Sequence, residues 1–79
     1  MKVPRDINAS ELIKFLDRCG YVVIRQTGSH IRLAKTIDGK EHAVTVPNHK
    51  PIKIGTLNSI AKDICLANNH DINEFYSQL

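Results

Sequence analysis

The chain has 79 residues, of which 42% are hydrophobic and 24% charged, and a formal net charge of +3. That length fits one domain over residues 1–79, with a small core that hides only about 60% of the unfolded surface. The composition is that of a folded domain rather than a disordered tail. The longest apolar run, Tyr21-Val22-Val23-Ile24, is far short of the roughly 20 residues a membrane helix needs, so no membrane partner is expected. No apolar stretch follows the leading segment Met1 to Asp6, which speaks against a secretory signal. Two cysteines are too few for a disulfide framework, and an unstapled small domain points to a reducing, cytoplasmic setting.

Asn8 followed by Glu11 has the spacing of a capping box and starts a helix. Leu12, Phe15, Leu16 and Cys19 recur at helical spacing and form its buried stripe. Gly20 ends it as a C′ glycine. Tyr21 to Thr27 is β-branched and aromatic enough for a strand. Gly28-Ser29 is a tight turn of the glycine-first kind, and His30 to Lys35 is the returning strand. On it, Ile31 and Leu33 face the core, while His30, Arg32 and Ala34 face the other way. Asp38-Gly39 makes a second hairpin turn into a third strand, Glu41 to Val46.

Pro47 and Pro51 bracket a loop, since proline cannot continue a strand interior. A second helix begins near Gly55-Thr56, carries Leu57, Ile60, Ala61 and Ile64 inward, and is broken at Asn68-Asn69-His70. Asp71 and Glu74 repeat the capping-box spacing ahead of a short last helix with Ile72, Phe75, Tyr76 and Leu79. The expected class is α+β. Its order is α-β-β-β-α plus a short C-terminal helix, with helices on one face of a three-stranded antiparallel sheet.

The charge is uneven. Residues 21–56 carry Arg25, Arg32, Lys35, Lys40, Lys50 and Lys53 against Asp38 and Glu41, a net of +4, while the flanking segments carry +1 and −2. Such a concentration suits an anionic partner. Phosphate-loop, Cys-x-x-Cys and His-Glu-x-x-His patterns are absent, and the carboxylates of the basic segment are too few for a two-metal nuclease, so no metal is expected. Cys19 and Cys65 sit on apolar helix faces and read as core fillers. His30 opens a strand on a rigid turn, and an imidazole gives or takes a proton near neutral pH. Arg32 shares its face and can hold a phosphate oxygen, with Arg25 and Lys35 assigned to the same basic region. Lys50 and Lys53 lead into a helix N-terminus, where backbone N–H groups attract phosphate. His42 shares parity with Val44 and Val46 and reads as structural. His70 reads as exposed and idle.

The runs Leu12-Ile13-Lys14-Phe15-Leu16, Cys19-Gly20-Tyr21 and Arg25-Gln26-Thr27-Gly28-Ser29-His30 combine with Val44-Thr45-Val46-Pro47-Asn48-His49 and Ile54-Gly55-Thr56-Leu57-Asn58-Ser59-Ile60. Together they resemble the HicA toxin family over most of the chain. The resemblance implies a fold like a double-stranded RNA-binding domain. It also implies a ribosome-independent mRNA interferase, held in a toxin–antitoxin complex by a HicB-type antitoxin. The family's functional histidine corresponds to His30, within Gly-Ser-His, and its Val-Pro-x-His histidine to His49. The Ile31-Arg32 that follows departs from the more polar or aromatic stretch of many members. The expected activity is a metal-independent endoribonuclease, with His30 catalytic and Ser29, Arg25, Arg32, Lys35, His49, Lys50 and Lys53 binding RNA. The rival expectation is a non-catalytic double-stranded RNA-binding module, which needs the basic surface but not His30.

Overall fold

The fold is seen in a computed structural model that describes residues 3–79. Met1 and Lys2, at the head of the segment inspected for a secretory pattern, lie outside the described residues. The elements run α1 (Ala9–Arg18), β1 (Val22–Thr27), β2 (His30–Ile37), β3 (Lys40–Pro47), α2 (Ile54–Asn68) and α3 (Ile72–Ser77).

Local chemistry accounts for most boundaries. At the start of α1 the Glu11 carboxylate accepts the Asn8 backbone N–H at 3.1 Å, satisfying a donor the helix cannot. At its end Gly20 takes φ +99°. Gly20 N–H then donates to Asp17 O (3.0 Å) and Tyr21 N–H to Leu16 O (2.9 Å), the paired bonds of a Schellman closure. Tyr21 is therefore consumed by this closure, and β1 begins one residue later than its composition suggests. Gly28 takes φ +57° and Ser29 does not share the positive sign, as a type II′ hairpin requires. Asp38 (φ 51°) and Gly39 (φ 79°) are both positive, as in type I′. Asn69 ends α2 in the left-handed conformation, with His70 N–H donating to Cys65 O. Asp71 caps α3 by accepting Glu74 N–H at 3.1 Å.

The strands form one antiparallel sheet in the order β1-β2-β3. Ile31 and Leu33 of β2 are buried while His30 and Arg32 are exposed, so the helices cover one face and leave the other open. One core joins Leu12, Phe15 and Leu16 of α1, Ile31, Leu33, Val44 and Val46 of the sheet, and Leu57, Ala61 and Ile64 of α2. α3 closes its end, with the Phe15 and Phe75 rings edge to face at 4.8 Å. Ala34 faces away from the helices as expected. It is nevertheless buried, because it lies between Val22 and Ala43 on the neighbouring strands and its methyl is too short to clear them. The layout is α+β and double-stranded RNA-binding-domain-like, in agreement with the element order read from the sequence.

The β1–β2 register holds a feature that the residue pattern does not announce. Val23 pairs with Leu33 and Arg25 with Arg32, so Ile24 is an extra residue, a β-bulge. Without it, Arg25 would fall on the other side of the sheet.

Candidate active site and nucleic-acid interface

His30 is exposed at the first position of β2, paired with Thr27 on one side and Pro47 on the other. The hairpin turn holds its backbone from below. A second restraint comes from the chain after β3, where Asn48 N–H donates to Ser29 O at 2.6 Å. This bond fastens the Asn48–His49 segment beside the Gly28-Ser29 turn. His49 is fastened further, because its carbonyl accepts Ala9 N–H at 3.2 Å and its own N–H reaches Pro47 O at 2.9 Å. Ser29, His30 and His49, separated by up to 20 positions, thus meet at one end of the sheet. Lys50 is exposed on the loop that passes from there to the helix layer. Lys53 is exposed at the N-cap of α2.

On the open face, Arg32 follows His30 by two residues and lies directly opposite Arg25 of β1 and Thr45 of β3. An Arg32 guanidinium N–H donates to Thr45 Oγ1 at 3.0 Å. Two like charges directly opposed across a strand pair are unfavourable unless an anion joins them. Among the described residues neither arginine has a carboxylate within ion-pairing distance. Lys40 and Glu41 begin β3 at the opposite end of the sheet from His30.

Lys35 does not belong to this group. The assignment of Lys35 to the same basic region as Arg25 and Arg32 is corrected by strand parity, since Lys35 is odd-numbered on β2 with Ile31 and Leu33 and points to the helix side. There its Nζ donates to Asn68 Oδ1 at 2.7 Å and lies 5.7 Å from the Tyr21 ring centre. Asn68 Nδ2 donates to the Tyr21 hydroxyl (2.9 Å) and to Ile64 O (2.8 Å). The Tyr21 hydroxyl lies 2.7 Å from His42 Nδ1, and His42 Nε2 lies 3.2 Å from Asp63 Oδ1. Every atom is satisfied when Tyr21 donates to Nδ1 and Nε2–H donates to Asp63. His42 is thereby a structural residue, as its parity suggests. Asp63 and Asn68 escape sequence reasoning, because nothing local to α2 distinguishes them from other polar helix residues.

Burial pushes the Tyr21 hydroxyl above its ordinary range, against a smaller opposing effect of the Asn68 bond. Burial likewise raises the Cys19 and Cys65 thiols, which keeps them protonated and unreactive. Among the described residues no group of three or more His, Cys, Asp or Glu side chains converges as metal ligands.

A model of the HicA toxin of bacterial toxin–antitoxin systems matches residues 9–66, from the first residue of α1 to near the end of α2. The chain belongs to the HicA toxin family. The match spans the Gly28-Ser29-His30 turn, both arginines of the open face and the Asn48–Lys53 loop. For this HicA-family chain no curated protein and no solved structure gives a match. α3 lies beyond the matched residues, yet its Phe75 and Tyr76 are buried in the common core. Among the described residues, no helix is long and apolar enough to cross a membrane.

Proposed function

We infer that this toxin is a metal-independent endoribonuclease that cleaves mRNA and thereby arrests translation, and that a HicB-type antitoxin neutralises it in a cytoplasmic complex. The observation that carries the reading is the exposed imidazole of His30 on a doubly restrained turn, beside two arginines that no carboxylate neutralises. A rigid mount holds a proton-transfer group in place at little entropic cost, and uncompensated guanidinium charge attracts a phosphodiester.

In the reaction the 2′-oxygen attacks the adjacent phosphorus and forms a 2′-O–P bond. The P–O5′ bond breaks, leaving a 2′,3′-cyclic phosphate and a 5′-hydroxyl. One proton leaves the 2′-hydroxyl and one is gained by the departing 5′-oxygen. His30 performs one of these transfers and solvent the other. Arg25 and Arg32 hold phosphate oxygens and offset the negative charge that grows in the transition state. Ser29, His49, Lys50 and Lys53 contact the flanking backbone. Lys35, turned to the helix side, is left out of the RNA contacts. One proton-transfer group supplies typically 10²- to 10⁴-fold in rate, which suits a slow nuclease acting on many messages.

The test is purified protein on a defined RNA in EDTA, wild type beside His30→Ala. Cleavage by the wild type with 2′,3′-cyclic phosphate ends, absent in the variant, is the expected result. Undiminished cleavage by His30→Ala would falsify the catalytic role. Tight, salt-dependent binding by the wild type with RNA left intact would instead support a non-catalytic RNA-binding module.

A further inference from the structure

β1 differs from every other element in what it leaves uncovered. It is an edge strand, and all six of its residues are exposed. Its first three, Val22, Val23 and Ile24, are large and apolar, at 62%, 47% and 53% exposure. Natural edge strands are usually blunted with charge, proline or cover, because an apolar unpaired edge invites another strand. β3, the opposite edge, follows that rule by opening on Lys40-Glu41 and burying Val44 and Val46. Among the described residues, no backbone hydrogen bond from outside the sheet reaches positions 22–27. The bulge at Ile24 and the charge of Arg25 blunt only the middle of this edge and leave Val22 and Val23 uncovered.

A groove of about 500 Å³ runs along the same edge between β1 and α1. Val23 and Ile13 form its apolar walls, and Leu33 lies at its base. Lys14 and Arg18, one turn apart on α1, stand at the rim with Asp17 between them. Arg25 adds a positive charge to the same strand, on its other, open face. The edge therefore offers main-chain bonds, an apolar slot and a net positive border.

We propose that β1 and the α1 groove are the docking surface for an extended, acidic segment of the protein antitoxin. That segment adds a fourth strand beside β1 and sets an apolar side chain into the groove. Charge selects this occupant. A second copy of the toxin would bring together two chains of formal charge +3, with Lys14, Arg18 and Arg25 on both sides of the seam. An acidic strand neutralises the same border. A strand laid along β1 also ends at the Gly28-Ser29 turn, so its continuation crowds His30. The proposal rests on membership of a toxin–antitoxin family and not on the ribonuclease reading, and its test reads binding rather than cleavage.

Val23→Lys and Ile24→Lys are placed at exposed positions, and circular dichroism should show both variants folded. The probe is a purified HicB-type antitoxin. Each variant should weaken the complex at least about 30-fold by calorimetry, the scale of an interface hot spot. Each should still arrest growth when expressed, with co-expressed antitoxin no longer relieving the arrest. Hydrogen exchange at residues 22–27 should slow in the complex. Leu66→Lys, at the most exposed large apolar residue of α2, should leave affinity unchanged. Wild-type affinity in both β1 variants, or equal exchange of residues 22–27 in free and bound toxin, would overturn the proposal. So would an antitoxin-free toxin dimer in sedimentation that both substitutions dissolve, which would assign the edge to a second copy.

Discussion

Two histidines of this toxin stand on neighbouring strands and have opposite circumstances. His42 is mostly enclosed, with a tyrosine hydroxyl on one ring nitrogen and a carboxylate on the other. His30 is exposed, and the open face beside it carries two arginines and a threonine. The first has its hydrogen-bonding capacity spent on joining β3 to α2. The second has its capacity free. Polar groups that are satisfied within the fold contribute to stability, and those held rigid but unsatisfied are available to a substrate. Lys35 and Arg32 repeat the contrast three residues apart, one bonded inward to Asn68 and the other displayed outward.

Substitutions can separate the two circumstances. The largest effect is expected at His30. His30→Ala should lower RNA cleavage by about 10²-fold or more, while its denaturation midpoint stays with the wild type because the imidazole supports nothing. The reverse is expected at the enclosed site. Tyr21→Phe leaves His42 Nδ1 and one of the two Asn68 Nδ2 N–H groups without a partner, and should cost about 1–3 kcal/mol in urea unfolding with cleavage per folded molecule retained. If Tyr21→Phe abolished cleavage without changing stability, the division between the sites would fail.

Smaller effects sharpen the second pair. Arg32→Gln should weaken binding to a non-cleavable RNA and reduce the salt dependence by about one counter-ion. Lys35→Gln should leave the salt slope unchanged. Titration of RNA affinity against salt for both variants decides the matter, and an equal loss at Lys35 would restore it to the RNA surface.

The smallest effect is an alkaline one. Cys19 and Cys65 are raised above 9.0, and Tyr21 and Tyr76 above 10.0, in each case chiefly by burial. The unfolded chain then loses these protons at lower pH than the folded one. The stabilisation is complete below about pH 9 and declines as pH rises through the thiol and then the phenol ranges. Urea midpoints from about pH 7 to 10.5 should fall only at the top of that interval, and Tyr21→Phe should flatten the last part of the decline.

Much of this protein is legible in its residues alone. Helix ends and turns are local events, so Gly20, Gly28 and Asp38-Gly39 announce themselves through left-handed conformations that few other residues adopt, and Asp71 through a carboxylate that accepts Glu74 N–H. Period-two burial places Ile31, Leu33 and His30 on their proper faces. The same parity turns Lys35 to the helix side, away from the basic group to which charge alone assigns it, because charge carries no information about direction. Tyr21 falls one residue outside the strand that its composition suggests, because its strand propensity competes with a closure bond that needs Leu16.

The amino-acid sequence by itself determined the element order, the turn types, the basic middle segment and the family. Each of these depends on residue type and short spacing, which the chain carries in one dimension. The tertiary structure alone decided which charges share a face, that a bulge at Ile24 sets Arg25 against Arg32, and that Asn48 ties His49 to the turn of His30. It also decided that Asp63 and Tyr21 enclose His42, with Asn68 bracing the tyrosine, and that β1 keeps an apolar edge open. These outcomes depend on register and on contacts between residues tens of positions apart, and such contacts exist only once the sheet and helices have packed.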